Sequence, residues 1–304
     1  MQGGERYNSI SDYLKKEFGT KTIKLSIDAG FTCPNRDGSK GYGGCAFCSS
    51  RGSGELASTY SPGSIAAAID EQIAQYQDKW QNTKYLAYFQ AYTNTYADVN
   101  ELREKYFEAL NDSRISGIVI ATRPDCLSDD VLDLLSEIND KYFMWVELGL
   151  QSIHESTLKS MGTGYTLDDY DKAVDNLSQR GIKTVTHLIL GLPGETREQM
   201  LESVKYVSQK PIFGLKLHLL NIIKSSRLFE TMPDYVSFNT IDEYVDLVVK
   251  CLEIIPENIT IHRLTGDVPR KQLISPAWSY QKRTILNKIN LELRNRNTHQ
   301  GAKI

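Results

Sequence analysis

The sequence predicts a parallel α/β architecture. Three observations carry this. Short apolar or β-branched runs recur along the chain, amphipathic helical patterns lie between them, and a glycine-rich cysteine loop follows the first run. Strands alternating with helices pack as a parallel sheet covered by helices. Loops at the C-terminal ends of such strands are where parallel barrels place their chemistry.

Six runs read as strands: Thr22–Ile27, 85–90, 117–121, 143–148, Thr184–Leu190 and 215–222, with a further short strand from Ile259 to His262. Between the first two, Ile65, Ile69, Ile73, Tyr76 and Trp80 recur at three- and four-residue steps, the spacing of one helix face. Ser128 reads as an N-cap ahead of Val131, Leu135 and Ile138, with Asp129 and Asp130 placed to favour the helix dipole. A helix over 169–180 ends at Gly181, a glycine stop. Right-handed crossovers leave an open doubly wound sheet or a barrel, and periodicity does not separate the two. The Gly-x-Gly-x-x-Gly of a dinucleotide sheet is absent; Asp28-Ala29-Gly30-Phe31-Thr32-Cys33 follows the first strand instead.

The 304 residues suffice for one large domain or two modest ones, and 40% hydrophobic with 24% charged residues suits a globular enzyme rather than a disordered chain. No apolar run approaches the roughly 18 residues of a membrane span, and the polar stretch through Lys16 lacks a signal-peptide core. The expectation is a cytoplasmic protein with no membrane partner. Five cysteines in a reducing compartment point to metal or redox use rather than a disulfide framework. The net charge of −3 hides an asymmetry: residues 262–304 carry nine Lys/Arg against Asp267 and Glu292, or +7, which leaves −10 for the rest. A basic segment of this kind is either a phosphate-binding surface or a solvated helix face.

Cys33, Cys45 and Cys48 lie on one loop with eleven and then two residues between them. Three thiolates can hold three irons of a 4Fe–4S cluster and leave the fourth open. Gly38, Gly41, Gly43 and Gly44 would let the loop wrap a bulky group. The rival reading is a structural zinc site completed by Cys126, Cys251 or a histidine. Glu147, Gln151 and Ser152 end the fourth strand, and a carboxylate and an amide there would face a barrel mouth; Ser152 could instead cap a helix. Gly191 and Pro193 form a tight turn after the fifth strand, and Arg123 after the third is a natural carboxylate or phosphate partner, or else half of a structural salt bridge. His187 and His218 lie inside strands and read as core histidines. Trp278, Tyr280, Lys282 and Arg283 mix aromatic and basic groups, a combination suited to stacking on a base and pairing with phosphate.

Together the three cysteines with Phe47, the segments 147–152 and 191–196, Asp37-Gly38, Tyr88-Phe89-Gln90, 121–126 and 262–267 with Trp278 resemble the radical S-adenosylmethionine (SAM) enzymes. Within them the chain is similar to the branch related to the Elongator catalytic subunit, in particular its bacterial YtqA-type family. The resemblance implies a partial (β/α)6 barrel over 1–230, with the cluster loop at 31–50, and a C-terminal extension over 231–304, basic from 262. It implies a 4Fe–4S cluster on Cys33, Cys45 and Cys48 and a SAM bound at the open iron, cleaved reductively to a 5′-deoxyadenosyl radical. Glu147, Gln151 and Ser152 are then expected near SAM, and Gly191 and Pro193 around its adenosine. Gly162-Thr163-Gly164-Tyr165 stands where relatives often carry an arginine, so the resemblance implies another cation for the carboxylate, such as Arg123. The implied substrate is the wobble uridine of tRNA, with a carboxymethylaminomethyl to aminomethyl type conversion at C5. Lys282, Arg283, Trp278 and Tyr280 would bind the RNA, and a flavodoxin or ferredoxin would donate the electron. The alternatives are a radical SAM enzyme acting on a small metabolite or peptide, and a zinc-stapled binding protein without catalysis.

Overall fold

The computed structural model describes residues 6–58, 64–76 and 82–304. Trp80 of the first helical stripe lies outside these residues.

The chain opens with helix α1 (Ile10–Phe18), and the first strand–helix unit is β1 (Thr22–Ile27) with α2 (Ile65–Ala74). Three similar units follow: β2 (Lys84–Phe89) with α3 (Val99–Leu110), β3 (Ile115–Thr122) with α4 (Asp129–Asn139), and β4 (Met144–Gln151) with α5 (Glu155–Met161) and α6 (Leu167–Gln179). Next come β5 (Thr184–Leu190), α7 (Arg197–Ser208), β6 (Gly214–Leu219), the two-residue β7 (Ile222–Ile223), α8 (Arg227–Thr231) and α9 (Ile241–Glu253). The chain finishes with β8 (Thr260–Arg263), β9 (Leu273–Ser275) and α10 (Lys282–Asn295). Seven parallel strands form one sheet in the order β1-β2-β3-β4-β5-β6-β8, while β7 and β9 pair antiparallel beside it.

The six expected strands are all present, and the further short strand expected from Ile259 is β8, which adds a seventh by pairing with β6. The run 215–222 is not one strand. Leu220 N donates to Leu190 O, and the chain then leaves the sheet, so that Ile222 and Ile223 pair with β9 instead. Ser128 occupies the N-cap position of α4 without making a cap hydrogen bond. α6 begins two residues before position 169 because Thr166 and Asp169 close a capping box.

The sheet is curled into a half-barrel. Neighbouring strands lie roughly 4.8 Å apart, so on a flat sheet β4 and β1 would be separated by about 14 Å. Yet Lys24 Nζ of β1 reaches Glu147 Oε1 of β4 at 3.4 Å, and Lys216 Nζ of β6 sits 5.0 Å from the Tyr88 ring of β2. Alternation along each strand then sorts side chains into two cores. In β6, Leu215, Leu217 and Leu219 join the large core beneath the helices, while Lys216 and His218 point to the lumen cavity. The lumen floor is plugged by Leu14 of α1, Leu86, Val119, Trp145 and Val185. α1 is tied there by an isolated bridge from Ser9 to Ile261, with Ile261 N donating to Asn8 O at 2.7 Å. The last helix, α10, packs its Ile285, Ile289 and Leu293 stripe into the same large core as α9. Among the described residues no helix is long and apolar enough to cross a membrane.

Candidate active site

The loop after β1 carries Cys33, Cys45 and Cys48, all half-buried and none in a disulfide. Its path is fixed by its own backbone. Arg36 N donates to Cys33 O at 2.8 Å, Gly44 N to Asn35 O at 2.9 Å, and Cys48 N to Cys45 O at 3.0 Å. Gly38, Gly43 and Gly44 adopt positive φ, as a wrapping loop needs, whereas Gly41 does not, and a Cβ there would only touch Asn35, 3.8 Å from its Oδ1. Asn35 fastens the loop to the barrel: its Nδ2 donates to Gly162 O and Thr163 O at 2.8 Å each and lies 3.4 Å from Cys45 Sγ. Gly162-Thr163-Gly164-Tyr165 is thus the shelf on which the cysteine loop rests, and a Cβ on Gly164 would fall 2.8 Å from Asn35 Oδ1.

The three cysteines line one cavity of ≈ 260 Å³. Burial, then the nearby Cys48, pushes the Cys45 thiol up to about 12. Among the described residues no three His, Cys, Asp or Glu side chains converge on a single-ion position. A zinc ion needs sulfurs about 2.3 Å from one point, whereas a cluster takes each thiolate on a different iron. Cys126 Sγ faces Asp125 Oδ1 at 3.8 Å, and Cys251 lies on the core-facing side of α9.

Arg123 stands beside the loop but is committed to a bidentate pair with Asp125, Nε to Oδ1 at 2.9 Å and Nη2 to Oδ2 at 2.8 Å. Lys40 joins Asp125 from the cysteine loop at 2.5 Å. Burial would raise the Asp125 carboxyl, but Arg123 and Lys40 hold it below the usual carboxylate range. Arg123 Nη1 remains 4.0 Å from Cys33 Sγ, and its guanidinium lies 5.0 Å from the Tyr165 ring centre.

Glu147 forms the polar floor of the cavity, directly above the apolar plug. Its fully buried carboxylate accepts from Tyr88 Oη at 2.6 Å, Trp145 Nε1 at 3.1 Å, His187 Nε2 at 3.0 Å, Lys24 Nζ at 3.4 Å and Lys216 Nζ. Burial works against the charge, yet Lys216 and Lys24 outweigh it and hold the carboxyl well below its usual range. Burial, then the Lys216 charge, lowers His187 to about 4, and burial with the Arg263 charge holds His218 well below the usual imidazole range. Both imidazoles are therefore neutral at neutral pH. They line the cavity, with ring centres 5.1 Å apart, which corrects the expectation of core histidines. Lys24 and Lys216 were not singled out from the sequence, and Arg263 entered only as part of the segment 262–267. The signal was present in β6, where apolar and polar residues alternate strictly from Leu215 to Leu219.

Gln151 takes a positive φ of 72° at a register shift in β4, and its side chain folds over Gly149, where a Cβ would meet Nε2 at 2.6 Å. Both line the cavity. Ser152 turns away: its Oγ donates to Glu195 Oε1 and accepts from His154 N at 3.0 Å, and His154 holds the N-cap position of α5. Gly191 and Pro193 are not among the cavity's lining residues. Gly191 has φ +91° and a Cβ there would lie 2.7 Å from Ser237 Cβ, while its carbonyl accepts from Tyr235 Oη at 2.9 Å. The turn is clasped by residues 235–238.

The sequence matches the model of the Radical SAM superfamily over residues 33–207 and that of the Radical SAM C-terminal domain over 212–295. This chain belongs to the radical SAM superfamily. It is 42% identical to YtqA of Bacillus subtilis over 98% of this chain and 92% of that protein, and 35% identical to YhcC of Escherichia coli K12 over 100% and 97%. It is 27% identical to Elongator complex protein 3 of Schizosaccharomyces pombe over 54% of this chain but only 30% of that protein. The fold matches that of the archaeal Methanocaldococcus infernus Elp3 with a TM-score of 0.67 at 16% identity, covering 92% of this chain and 64% of that one.

Radical SAM enzymes bind a 4Fe–4S cluster and S-adenosylmethionine and need a reductant, and these are the cofactors of this chain. The residues present suit them: three thiols outside any disulfide line one cavity, and Gly149 and Gln151 line it with them. Membership in the superfamily displaces the zinc-stapled alternative.

Four of the nine C-terminal cations are held in ion pairs. Lys282 pairs with Asp267, Lys288 with Asp242, Arg296 with Asp246 and Glu292, and Lys303 with Glu253. Through Lys288, Arg296 and Lys303 part of the +7 segment is folded against carboxylates of the acidic body. Arg283 is exposed, Tyr280 is 46% exposed beneath Arg270, and Trp278 is packed on the core beside Tyr244 with Nε1 donating to Phe238 O at 3.3 Å.

Proposed function

We propose that this radical SAM enzyme modifies the C5 side chain of the tRNA wobble uridine, in a conversion of the carboxymethylaminomethyl to aminomethyl type. The observation that carries the reading is the sequence likeness to Elongator complex protein 3 across half of this chain. Cys33, Cys45 and Cys48 would ligate the cluster, with Gln151 and Arg123 nearest to SAM. Glu147 would act through the floor it organises, and Ser152, Gly191 and Pro193 would shape the neighbouring turns. When bound, the cofactors supply hydrogen-atom abstraction. The protein holds the substrate above the ionic floor and excludes water.

Nucleoside mass spectrometry of tRNA from a deletion strain tests the substrate. The expected result is accumulation of the carboxymethylaminomethyl nucleoside; an unaltered wobble-uridine profile removes this reading. The joint substitution Lys282→Glu and Arg283→Glu tests the surface and should weaken tRNA binding in a salt-dependent way. Cys45→Ala should lose bound iron and sulfide and stop 5′-deoxyadenosine formation with dithionite, while far-UV circular dichroism is kept.

Ion pairing takes up four of the nine C-terminal cations, which favours a second reading, a radical SAM enzyme acting on a small metabolite or peptide, because less unpaired positive surface remains for RNA than the charge count implies. Binding of the unmodified holoenzyme to tRNA at physiological salt separates the two.

A further inference from the structure

One wall of the cavity carries polar groups that the fold leaves unused. Arg263, at the end of β8, lines the cavity, and its side chain makes no hydrogen bond or ion pair among the described residues. His218 Nε2 and Asn221 Oδ1, on and just beyond β6, are buried and lack hydrogen-bond partners. Buried polar groups are nearly always paired, so two idle ones beside a half-buried, unpaired guanidinium ask for a ligand. Asn221 is also held by design of the backbone: a Cβ on Gly266 would sit 2.1 Å from Asn221 Nδ2 and 3.0 Å from Leu219 O. Only a residue without a side chain lets the turn after β8 close over this amide.

Charge points the same way. Lys24, Lys216 and Arg263 surround the floor with Glu147 as the carboxylate among them, and Lys24 and Lys216 are the two that reach it. His187 and His218 are held neutral, and among the described residues the Arg263 side chain has no carboxylate partner. The register sets Arg263 level with Lys216, and His218 lies two residues further toward the C-terminal end of β6. The cysteine loop leaves the opposite edge strand, β1, so the wall and the cysteines face one cavity from different elements.

We infer that Arg263, His218 and Asn221 form a substrate subsite for an amino-acid-like group, in which Arg263 and His218 donate to a carboxylate and Asn221 Oδ1 accepts from an adjacent N–H. This deepens the proposed wobble-uridine reading and rests on it for the identity of the substrate, whose carboxymethylaminomethyl arm carries both features. The methionyl end of SAM has the same chemistry, so the test must tell the two apart.

The test measures equilibrium binding to the cluster-loaded protein under anaerobic conditions. The probes are SAM, 5-carboxymethylaminomethyluridine, 5-aminomethyluridine and N-methylglycine. Arg263→Met should weaken 5-carboxymethylaminomethyluridine and N-methylglycine by about tenfold or more, as expected for a lost charged hydrogen bond. It should leave SAM and 5-aminomethyluridine unchanged, and Arg263→Lys should recover part of the loss. Asn221→Asp, which sets a second carboxylate in the subsite, should weaken the same two probes and provides the reading if Arg263→Met does not load its cluster. An equal loss of SAM affinity would assign the wall to the cofactor and overturn the inference, as would unchanged binding of every probe. If N-methylglycine binds in an Arg263-dependent manner while neither uridine binds, the subsite stands and the wobble-uridine reading fails.

Discussion

The carboxylate of Glu147 and the ammonium of Lys216 form an ion pair in which the two side chains are 0% and 1% exposed. β4 and β6 are not neighbours; β5 lies between them. The pair therefore exists because the sheet curls, and it marks the boundary between the apolar plug and the polar cavity. Buried pairs gain little over apolar packing, but removing one partner leaves an uncompensated charge.

Lys216→Met should accordingly destabilise the protein by about 3–5 kcal/mol, read from the urea midpoint. The double variant Lys216→Met with Glu147→Gln should recover part of that loss, because the orphaned charge is gone. If the single variant unfolds at the parental midpoint, the floor does not depend on this pair.

Acid should weaken the fold well before the carboxylates titrate. Burial, then the Lys216 charge, lowers His187 to about 4; burial with Arg263 lowers His218, and burial with Lys24 lowers His262, both well below the usual range. The folded chain keeps these imidazoles neutral while the unfolded chain takes up protons below about pH 6.5. Stability is thus complete above about pH 6.5 and falls by about 1.4 kcal/mol per histidine per pH unit as pH drops below it, until each folded group titrates in turn. Glu147, with its lowered carboxyl, adds a loss of the same sign below about pH 4.3. Urea unfolding at about pH 7.5 and about pH 5.5 should differ by about 3–4 kcal/mol; equal midpoints would show that the folded chain binds these protons too.

Asn35→Ala should act on both fold and cluster. Two carbonyls on the 162–163 shelf lose their donor, a cost of about 1–3 kcal/mol. Hydrogen bonds to cluster sulfurs help set the potential, and losing the one to Cys45 Sγ disfavours the electron-rich state. A redox titration of the loaded variant should show a lower potential than the parent; a higher one would mean that Asn35 does not serve the sulfur.

Gly191→Ala places a Cβ 2.7 Å from Ser237 and 2.8 Å from the Phe238 ring on a backbone at φ +91°. The strain alone is about 1–3 kcal/mol, and the clash adds to it. Because the clash parts the β5–α7 turn from residues 235–238, proteolysis near that segment should accelerate. Proteolysis at the parental rate would show that the clasp adapts.

Much of this protein was legible in its residues. Alternating strand and helix patterns gave the parallel sheet, because apolar periodicity records which face each element buries. The spacing of Cys33, Cys45 and Cys48 located the site, because all three ride on one loop whose ends are set by β1. The lumen was not legible. Glu147 meets Lys24, Tyr88, His187 and Lys216 from four other strands only once the sheet curls, and no local pattern encodes which strands will face one another. Nor could the charge count of 262–304 foresee that Lys282, Lys288, Arg296 and Lys303 would each find a carboxylate. Sequence alone determined the elements and the chemistry of the loop, since both depend on nearest neighbours along the chain. Tertiary structure alone decided which charges are spent, which polar groups stay idle and where the cavity opens, since those depend on distances that only the closed sheet brings into hydrogen-bonding range.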